Sequence, residues 1–568
     1  MCGILGVFLK DTRQVIQQTV IEKMRDLMEH RGPDDSGLLL TYEHRLALAH
    51  RRLSILDLST AGHQPMKLPS GNYICFNGEI YNYKELHKEY LDSVQLNSNS
   101  DTEVLGRLLE RYGQECLTML NGMWSFIYYD AKKEELIISR DRFGVKPLYY
   151  YETDKVILWS SEIKPILNSP YYSKKLNDNA ATIFLQTGLV DGIEDTFFQE
   201  IKRFPSAHVM TFSLKSNNKK IYRYYDLKSA IHEVSDSYEE NVQKFRELLI
   251  DSVRLRLRSD VPVGVSLSGG MDSSSIYAIV ARLSQGKGNG ELHSFSSKYL
   301  EPDCDESYYY KSLVKQYPGL NHEITPAYHG YEEKIRKILY YLEEPCKAYG
   351  IYSMWHVIEL ASKHVKVVLD GQGGDEVLAG YDYYLYFHIL DLLETNISKN
   401  RLAQELLFIA QKKGDSFIET IGPNIQEIKD NNLLKFNGSY LNKKLFDDIT
   451  MYMIPAFLRY EDKIGMAFSL EARFPFLDYR LVNFLFSLSF DQKIRKGWSK
   501  AILREAMNGI LPDSITWRKD KKGYPTPLNN ILAVNKNMEN YIPKNIPQDE
   551  WSKWRFISFN VWRSVYDI

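Results

Sequence analysis

The sequence predicts two domains: a first that mixes strands and helices, and a second α/β domain built on a parallel sheet. Two segments in which a strand leads into a small-residue loop predict the α/β domain. Val263 to Leu267 alternates larger apolar and small residues and leads through a Ser/Gly loop into a helix over 273–283. Residues 365–369 are nearly all apolar, as expected of a buried parallel strand, and a glycine-rich loop follows them. A polar, turn-rich stretch over 215–220 is a candidate linker.

Composition places the chain among ordinary globular proteins. Of its 568 residues, 44% are hydrophobic and 25% are charged. The net charge of −2 means that the chain carries no excess of positive charge to attract a polyanion, so we expect no nucleic-acid partner. Because the chain has no run of about 18 apolar residues and no secretory leader, we expect no membrane span and a cytoplasmic location. The five cysteines lack CxxC spacing, which argues against disulfide or zinc-cysteine frameworks and favours one functional thiol.

The loop over 268–273, SGGMDS, has the composition of an anion site. Its small residues leave backbone N–H groups open, and the helix that follows adds the positive end of its dipole, so both features favour a phosphate. The chain contains no GxxxxGK[ST] motif, so the loop is not of the Walker A type. A plain strand–turn without a ligand is the alternative interpretation.

Cys2 follows Met1 directly and precedes an apolar strand. Removal of Met1 would leave Cys2 with a free α-amine beside its own thiol. An α-amine titrates near pH ~8 and a thiol near ~8.5, so this one residue could supply both nucleophile and base. The alternative is a small buried residue at the start of a strand. N-terminal sequencing of the purified protein would distinguish the two, because a retained methionine excludes the catalytic role.

Four further segments accompany Cys2 in chain order, and with it they resemble the N-terminal-nucleophile glutaminase domain of class II amidotransferases. The segments are His30–Asp34 (HRGPD), Arg52–Ile55 (RLSI), Asn77–Asn82 (NGEIYN) and Ser100–Glu103 (SDTE). The resemblance implies an α+β domain, an αββα sandwich over residues 1–213, that hydrolyses glutamine at Cys2.

The resemblance also implies roles for individual residues. Arg52 is expected to bind the carboxylate of glutamine as a two-pronged donor. The Asn77 side chain and the Gly78 N–H are expected to form an oxyanion hole, because two fixed donors stabilise developing charge without reorganising. Alternatives exist: Arg52 could be a surface charge, and Ser100 with Glu103 could form a helix capping box. The implied glutamine-binding residues are Arg52, Leu53, Ser54, Ile55, Asn77, Gly78, Glu79 and Asp101.

The SGGMDS loop resembles the pyrophosphate loop of N-type ATP pyrophosphatases, which cleave ATP between its α- and β-phosphates. Over essentially its whole length, the chain resembles glutamine-hydrolysing asparagine synthetases, through segments that include Asp370–Tyr381 (DGQGGDEVLAGY) and Glu471–Asp478 (EARFPFLD). This implies a Rossmann-like α/β ATP pyrophosphatase domain over 237–568. The implied ATP-binding residues are Leu267, Ser268, Gly269, Gly270, Asp272, Ser273, Ser296, Ser297, Asp370 and Gly371.

Two charged groups complete the implied synthetase site. Asp272 and Asp375, one from each loop, are expected to bind Mg²⁺ together with ATP phosphates, although Asp375 could simply cap a helix. Lys521 is expected to offset negative charge as ammonia attacks the acyl-adenylate. Lys519 and Lys522 are close alternatives, and a surface lysine run is the other interpretation.

Gln372 departs from the best-known asparagine synthetases, which carry glutamate there as a proposed proton acceptor. Glutamine cannot accept a proton, so Gln372 is a catalytic candidate by position only. Those relatives also have an arginine for the aspartate carboxylate, whereas the matching segment here offers only Lys347. Both departures leave the identity of the acceptor carboxylate open.

Together these patterns predict a glutamine-dependent asparagine synthetase that uses ATP and Mg²⁺. Cys2 would release ammonia from glutamine, and a shielded passage would carry it to aspartate activated as acyl-AMP. One alternative is the same reaction on another carboxylate, such as a uronic-acid sugar or a peptide. Another is a non-catalytic module that senses glutamine or ATP. The expected partners are these small molecules, with a homodimer as one option.

Overall fold

The computed structural model describes residues 2–189, 191–285, 291–395, 398–431, 434–519, 525–547 and 549–568. Within these ranges the strands form two antiparallel sheets of six strands each and one parallel sheet of five. In chain order, β1 to β17 are Gly3–Leu9, Asp35–Thr41, Leu46–Arg52, Met66–Lys67, Tyr73–Ile80, Gly122–Asp130, Glu135–Arg140, Tyr149–Glu152, Val156–Ser160, Lys202–Arg203, His208–Ser213, Lys219–Arg223, Val263–Ser266, His293–Ser297, Leu320–Ile324, Val367–Leu369 and Glu471–Arg473.

The α-helices of the described residues connect and cover these sheets. In chain order, α1 to α22 are Gln18–Asp26, Tyr83–Tyr90, Asp101–Tyr112, Lys164–Leu167, Asp178–Thr187, Tyr238–Arg256, Met271–Ser284, Ser307–Gln316, Tyr331–Leu342, Ile351–Ala361, Gly374–Leu378, Tyr384–Glu394, Lys399–Lys413, Asp415–Asp430, Tyr440–Asp447, Ile454–Met466, Tyr479–Ser487, Phe490–Lys493, Ala501–Ala506, Asp513–Thr516, Leu528–Val534 and Glu550–Tyr566. None of the helices in the described ranges is both long and apolar enough to cross a lipid bilayer.

The first two sheets form the αββα sandwich that the sequence predicts. Their strand orders are β10-β8-β9-β1-β3-β2 and β12-β11-β7-β6-β5-β4. Buried side chains such as Phe8 of β1 and Ile127 of β6 fill the space between them. Outside, α1 packs Ile21 on the first sheet, and α3 packs Leu105 on the second. Burial of apolar side chains on both faces of each sheet is what holds the four layers together.

The turn-rich stretch over 215–220 forms a hairpin and not a free linker. Ser213 N–H donates to Asn218 O at 2.9 Å, and β12 then pairs antiparallel with β11 at the edge of the second sheet. The polar composition that suggests a linker is also that of a solvent-exposed hairpin turn, which explains the difference. The domain limits at residues 213 and 237 stay predictions.

The third sheet is parallel, with the order β15-β14-β13-β16-β17. The chain leaves the central strand β13 toward β14 on one side, and β16 lies on its other side. Ligands of open α/β sheets bind at such a switch point, beyond the carboxyl ends of the strands. The loops after β13 and β16 are SGGMDS and DGQGGDE, so the fold places both predicted loops there.

Candidate active site

Cys2 lies where the two antiparallel sheets come together. Its backbone N–H donates to Asn77 Oδ1 on β5 at 3.0 Å, and Arg31 Nε donates to its carbonyl oxygen at 2.9 Å. Only 7% of Cys2 is exposed. Burial raises the pKa of the Cys2 thiol, although the Leu53 backbone and the Arg52 charge oppose this effect. The thiol is therefore neutral near pH 7 and needs a base before it can act as a nucleophile.

The predicted oxyanion-hole residues, Asn77 and Gly78, are neighbours on β5 beside this thiol. The Asn77 side chain is fully buried, and its amide nitrogen donates weakly to Ser125 Oγ at 3.4 Å. A Cβ at Gly78 would lie 2.0 Å from the carbonyl oxygen of Met123 on β6, so glycine is required at this close approach. The strand thus fixes the Asn77 amide next to Cys2.

Glu79 and Asp101, two acids among the predicted glutamine-binding residues, are both buried and lie close to each other. Asp101 begins α3, where Ser100 caps the helix, and its Oδ2 accepts from Ile80 N–H at 2.8 Å. Burial raises the pKa of Asp101 to about 6, and burial also raises that of Glu79. Two buried carboxyl groups in one place are costly when both are ionised, so the site favours a cationic ligand group.

Arg52 and the residues after it are held by the protein itself. The Arg52 guanidinium donates to the carbonyl oxygens of Ser59 at 2.8 Å and Leu56 at 3.3 Å. A glutamine carboxylate would therefore have to share or replace these bonds. Ser54 N–H donates to Asp34 Oδ2 at 2.8 Å, and Leu53 and Ile55 pack in one apolar cluster with Val367 and Met466 of the second domain.

A pocket of about 660 Å³ lies at the carboxyl ends of β13, β14 and β16. The structure brings most of the predicted ATP-binding residues to its wall, together with Gln372. These residues are Leu267, Ser268, Gly270, Asp272, Ser273, Ser297, Asp370 and Gly371. Ser296 differs, because its hydroxyl turns inward and donates to Leu267 O at 2.6 Å. Gly269 is not on the wall, and its carbonyl oxygen accepts from Arg518 at 3.3 Å.

The start of α7 is open toward this pocket. Its N-cap residue is Gly270, which has no side chain to cap the helix, although the Ser268 hydroxyl accepts from the Gly270 N–H at 3.3 Å. Gly269 takes a positive φ of 80°, which a glycine adopts without strain. A helix N-terminus without a side-chain cap attracts anions through its free N–H groups and its dipole. This geometry suits the triphosphate of a nucleotide.

Asp272 and Asp375 meet at this end of the pocket. A Cβ at Gly374 would lie 2.6 Å from Asp272 Cγ, so the absence of a side chain at Gly374 lets the two loops pack against each other. Both carboxylates contact one ammonium group, Lys500 Nζ, at 2.5 Å and 2.6 Å. Two carboxylates that converge on one point, beside an open helix N-terminus, have the oxygen chemistry that Mg²⁺ requires. The residues present therefore fit a magnesium ion.

Lys500 is the functional candidate that sequence reasoning missed. It is 3% exposed, and it precedes α19 with a left-handed φ of 54°. Burial opposes its charge, but Asp272 and Asp375 outweigh burial and raise the pKa of its ammonium group. Its sequence setting, SKAILREA, is that of an ordinary helix start and gives no local signal. Lys519 also lines the pocket, while Lys521 and Lys522 lie outside the described residues.

A buried acid lies behind Asp370. Glu461 of α16 is 1% exposed, and neither of its carboxylate oxygens has a hydrogen-bond partner among the described residues. Burial raises the pKa of Glu461 strongly, and the nearby Asp370 charge adds to the effect. Asp370 itself lines the pocket, and its Oδ1 accepts from Gln372 N–H at 2.8 Å. Asp370 and Glu461 thus form a pair of acids close to Gln372, whose side chain cannot accept a proton.

Arg473, the last residue of β17, connects the two sites. Its carbonyl oxygen accepts from Asp370 N–H at 2.9 Å, at the start of the pocket loop. Its guanidinium lies 2.6 Å from Glu471 and 3.3 Å from Glu79 of β5. Arg473 therefore connects Glu79, a predicted glutamine-binding residue, to the loop that carries Asp370.

Buried ion pairs join the two domains around this connection. Arg31 Nη1 lies 2.8 Å from Asp462 Oδ2, and both side chains are buried. Removal of one partner from such a pair leaves an uncompensated charge, at a cost of about 3–5 kcal/mol, so these pairs fix the relative orientation of the domains. The buried pairs across the interface include Lys146–Asp462, Lys164–Glu343, Arg203–Glu344 and Asp191–Arg459.

Comparison with known proteins agrees with both halves of this arrangement. Residues 1–225 match the family model described as a glutamine amidotransferase domain, and residues 244–557 match the model described as asparagine synthase. The two matches follow each other in the same order as the antiparallel sandwich and the parallel sheet.

Curated relatives match over most of the chain. It is 31% identical to asparagine synthetase [glutamine-hydrolyzing] 3 of Bacillus subtilis, over 92% of this chain and 87% of that protein. It is 34% identical to putative asparagine synthetase [glutamine-hydrolyzing] 2 of Methanocaldococcus jannaschii, over 69% and 78%. It is also 27% identical to amidase chry2 of Gibberella zeae, over 93% and 89%. The chain therefore belongs to the glutamine-hydrolysing asparagine synthetase family.

Proposed function

We propose that this protein is an ATP-dependent ligase that makes asparagine from aspartate with glutamine as nitrogen donor. The observation that carries the proposal is the presence of two candidate sites in one chain. Cys2 lies beside Asn77 in the sandwich, and Asp272, Asp375 and Lys500 converge at the nucleotide pocket. A module that only sensed glutamine or ATP would need neither the thiol nor the convergent charges.

In the first site, we assign the nucleophile to the Cys2 thiol once Met1 is removed. The α-amine of Cys2 would take the thiol proton, and the sulfur would attack the amide carbon of glutamine. The Asn77 amide and the Gly78 N–H would stabilise the oxyanion. The α-ammonium would return that proton to the nitrogen, ammonia would leave, and water would hydrolyse the thioester to glutamate and restore the thiol. Glu79 and Asp101 would bind the glutamine ammonium, with Arg52 directed at its carboxylate.

In the second site, the open start of α7 would bind the phosphates of ATP. The aspartate β-carboxylate would attack the α-phosphorus and release diphosphate. Mg²⁺, when bound by Asp272 and Asp375, would neutralise phosphate charge. Ammonia would attack the acyl carbon, the bond to AMP would break, and Lys500 would stabilise the negative charge that develops on the leaving phosphate.

The proton lost by the attacking nitrogen needs an acceptor, and we assign it to Asp370 with Glu461 as the positioning residue behind it. Gln372 has no basic group, whereas Asp370 lines the same pocket. Like charges this close cannot both ionise easily, so the pair holds a proton and can accept or pass one.

The variant Glu461→Gln tests this assignment. We expect kcat for amide formation to fall about 100-fold, because general acid–base catalysis contributes about that much or more. Glutaminase activity, and diphosphate exchange into ATP with aspartate, should stay near the wild-type rates. Glu359→Gln, a half-exposed acid of the same domain, is the matched control. An equal loss in exchange and in amide formation would instead assign Glu461 a purely structural role.

We assign Lys347 to the substrate carboxylate. It is one of several cations that line the pocket, and its Nζ donates to Tyr452 O at 2.6 Å. The second candidate function is the same reaction on another carboxylate, such as a uronic-acid sugar or a peptide. The two departures from the family pattern, at Gln372 and Lys347, support this candidate.

Product formation tests the whole function. Purified protein should convert aspartate, ATP and amide-¹⁵N glutamine into ¹⁵N-asparagine, AMP and diphosphate in equal amounts, measured by mass spectrometry. Glutamate or malate in place of aspartate serves as the control acceptor. AMP formation that requires a different carboxylate would reassign the substrate. Nucleotide consumption with no labelled organic amide would overturn the ligase reaction itself.

A further inference from the structure

Three histidines come together on the parallel sheet, away from the nucleotide pocket. His293 begins β14, His322 lies in β15, and His364 lies in the turn between α10 and β16. One potential ligand nitrogen from each residue lies within 4.8 Å of the other two. His293 Nδ1 and His322 Nε2 are only 3.0 Å apart, and their ring planes are nearly parallel, at 7°. None of the three lines the pocket.

The packing around the cluster fixes two of the rings and leaves the third accessible. His293 and His322 are half-buried beside Phe295, whereas His364 is exposed and stacks on His322 with ring centroids 3.9 Å apart. A Cβ at Gly264 would lie 2.7 Å from the Phe295 ring, so the small residue on β13 makes room for this stack. His364 can therefore turn its ring without disturbing the core.

The chemistry and the spacing of the cluster suit a metal ion. Neutral imidazole nitrogen is a preferred ligand of zinc and of similar divalent ions. In a tetrahedral zinc site with bonds of about 2.0 Å, ligand nitrogens lie roughly 3.3 Å apart. The observed 3.0 Å pair already has that spacing.

We propose that His293, His322 and His364 form a binding site for Zn²⁺ or a similar borderline divalent ion. The ion would replace the proton shared by His293 Nδ1 and His322 Nε2, which is released to solvent, and His364 would rotate to supply the third nitrogen. Three protein ligands leave a fourth position for water or an added ligand. The ion would tie β14, β15 and the connection before β16 together on the sheet that carries the nucleotide site.

Zinc binding to the full-length protein tests the proposal. Metal-free protein in excess Mg²⁺, which saturates the Asp272 and Asp375 site, should bind one equivalent of Zn²⁺ in competition with a chromophoric chelator. Co²⁺ in the same protein should give the visible absorption of a tetrahedral nitrogen site. Zinc should also raise the Tm of the wild type, because an ion that binds only the folded state stabilises it.

The variants His364→Ala and His322→Ala should weaken Zn²⁺ binding at least about tenfold, since even loss of an outer partner of a ligand commonly costs that much. His329→Ala, an exposed histidine of the same domain, is the matched control and should bind as the wild type does. His364 is exposed, so its variant should fold even if His322→Ala does not. Absence of zinc binding in the wild type, or equal binding by His364→Ala and His329→Ala, would overturn the site.

Discussion

Replacing Cys2 with alanine should abolish glutamine-dependent amide formation, while added ammonium chloride should still support it. The thiol is the nucleophile of the proposed first reaction, and removal of such a group commonly costs about 10³-fold or more. The nucleotide pocket lies in the other domain, and Cys2 is not among the residues that line it. Free ammonia should therefore bypass the missing step.

The measurement compares AMP formation with glutamine and with ammonia, at a pH high enough to supply neutral ammonia. Cys304→Ala is the matched control, because Cys304 is a partly exposed cysteine of the second domain. That variant should retain both activities. A Cys2→Ala protein that folds, yet fails with ammonia as well, would show that the two sites are not separable in the way proposed. Retained glutamine-dependent activity would remove Cys2 from the mechanism.

Motifs that are local in sequence predict the structure well. The SGGMDS loop does connect a strand to a helix, and the DGQGGDE loop does follow a buried strand of the parallel sheet. In these cases a short run of residues determines both the turn and the groups that it presents. Ser100 caps α3 as expected, but Glu103 accepts from Asn97 and Ser98 N–H rather than from Ser100.

Features that depend on distant partners could not be predicted. Nothing in the sequence near Glu461 or Arg473 shows that one lies behind Asp370 and that the other reaches Glu79. The same holds for Arg31, whose partner Asp462 is 431 residues away. Burial and pairing of charges are set by tertiary packing, which residue type and local spacing do not encode.

Lys500 is another residue whose contacts are with partners distant in sequence. Its replacement is the second change for which we expect a large effect. Sequence comparison directs attention to the lysines at 519, 521 and 522, because they follow a recognisable segment. The pocket also brings in Lys500, 228 residues from Asp272, and places its ammonium between two carboxylates. A buried cation held in this way beside the proposed phosphate-binding loop is pre-organised, so it stabilises developing negative charge without reorganisation.

Replacing Lys500 with methionine should lower the rate of aspartate-dependent AMP formation about 100- to 1,000-fold, the usual effect of losing one pre-organised electrostatic group. Methionine keeps most of the side-chain volume and removes the charge. Glutamine hydrolysis at Cys2 should persist, because the sandwich is intact. Lys412→Met is the matched control, since the Lys412 ammonium packs 4.5 Å above the Trp498 ring, close in sequence to Lys500.

The alternative role for Lys500 is structural: its charge could serve only to hold Asp272 and Asp375 together. The variant Lys500→Arg separates the two roles, because arginine preserves the positive charge but not the compact ammonium group. If Lys500 acts on the phosphates, Lys500→Arg should bind ATP nearly as well as the wild type and remain slow in AMP formation. If its role is to balance the two carboxylates, excess Mg²⁺ should restore Lys500→Met to near the wild-type rate. That restoration would remove Lys500 from the proposed chemistry.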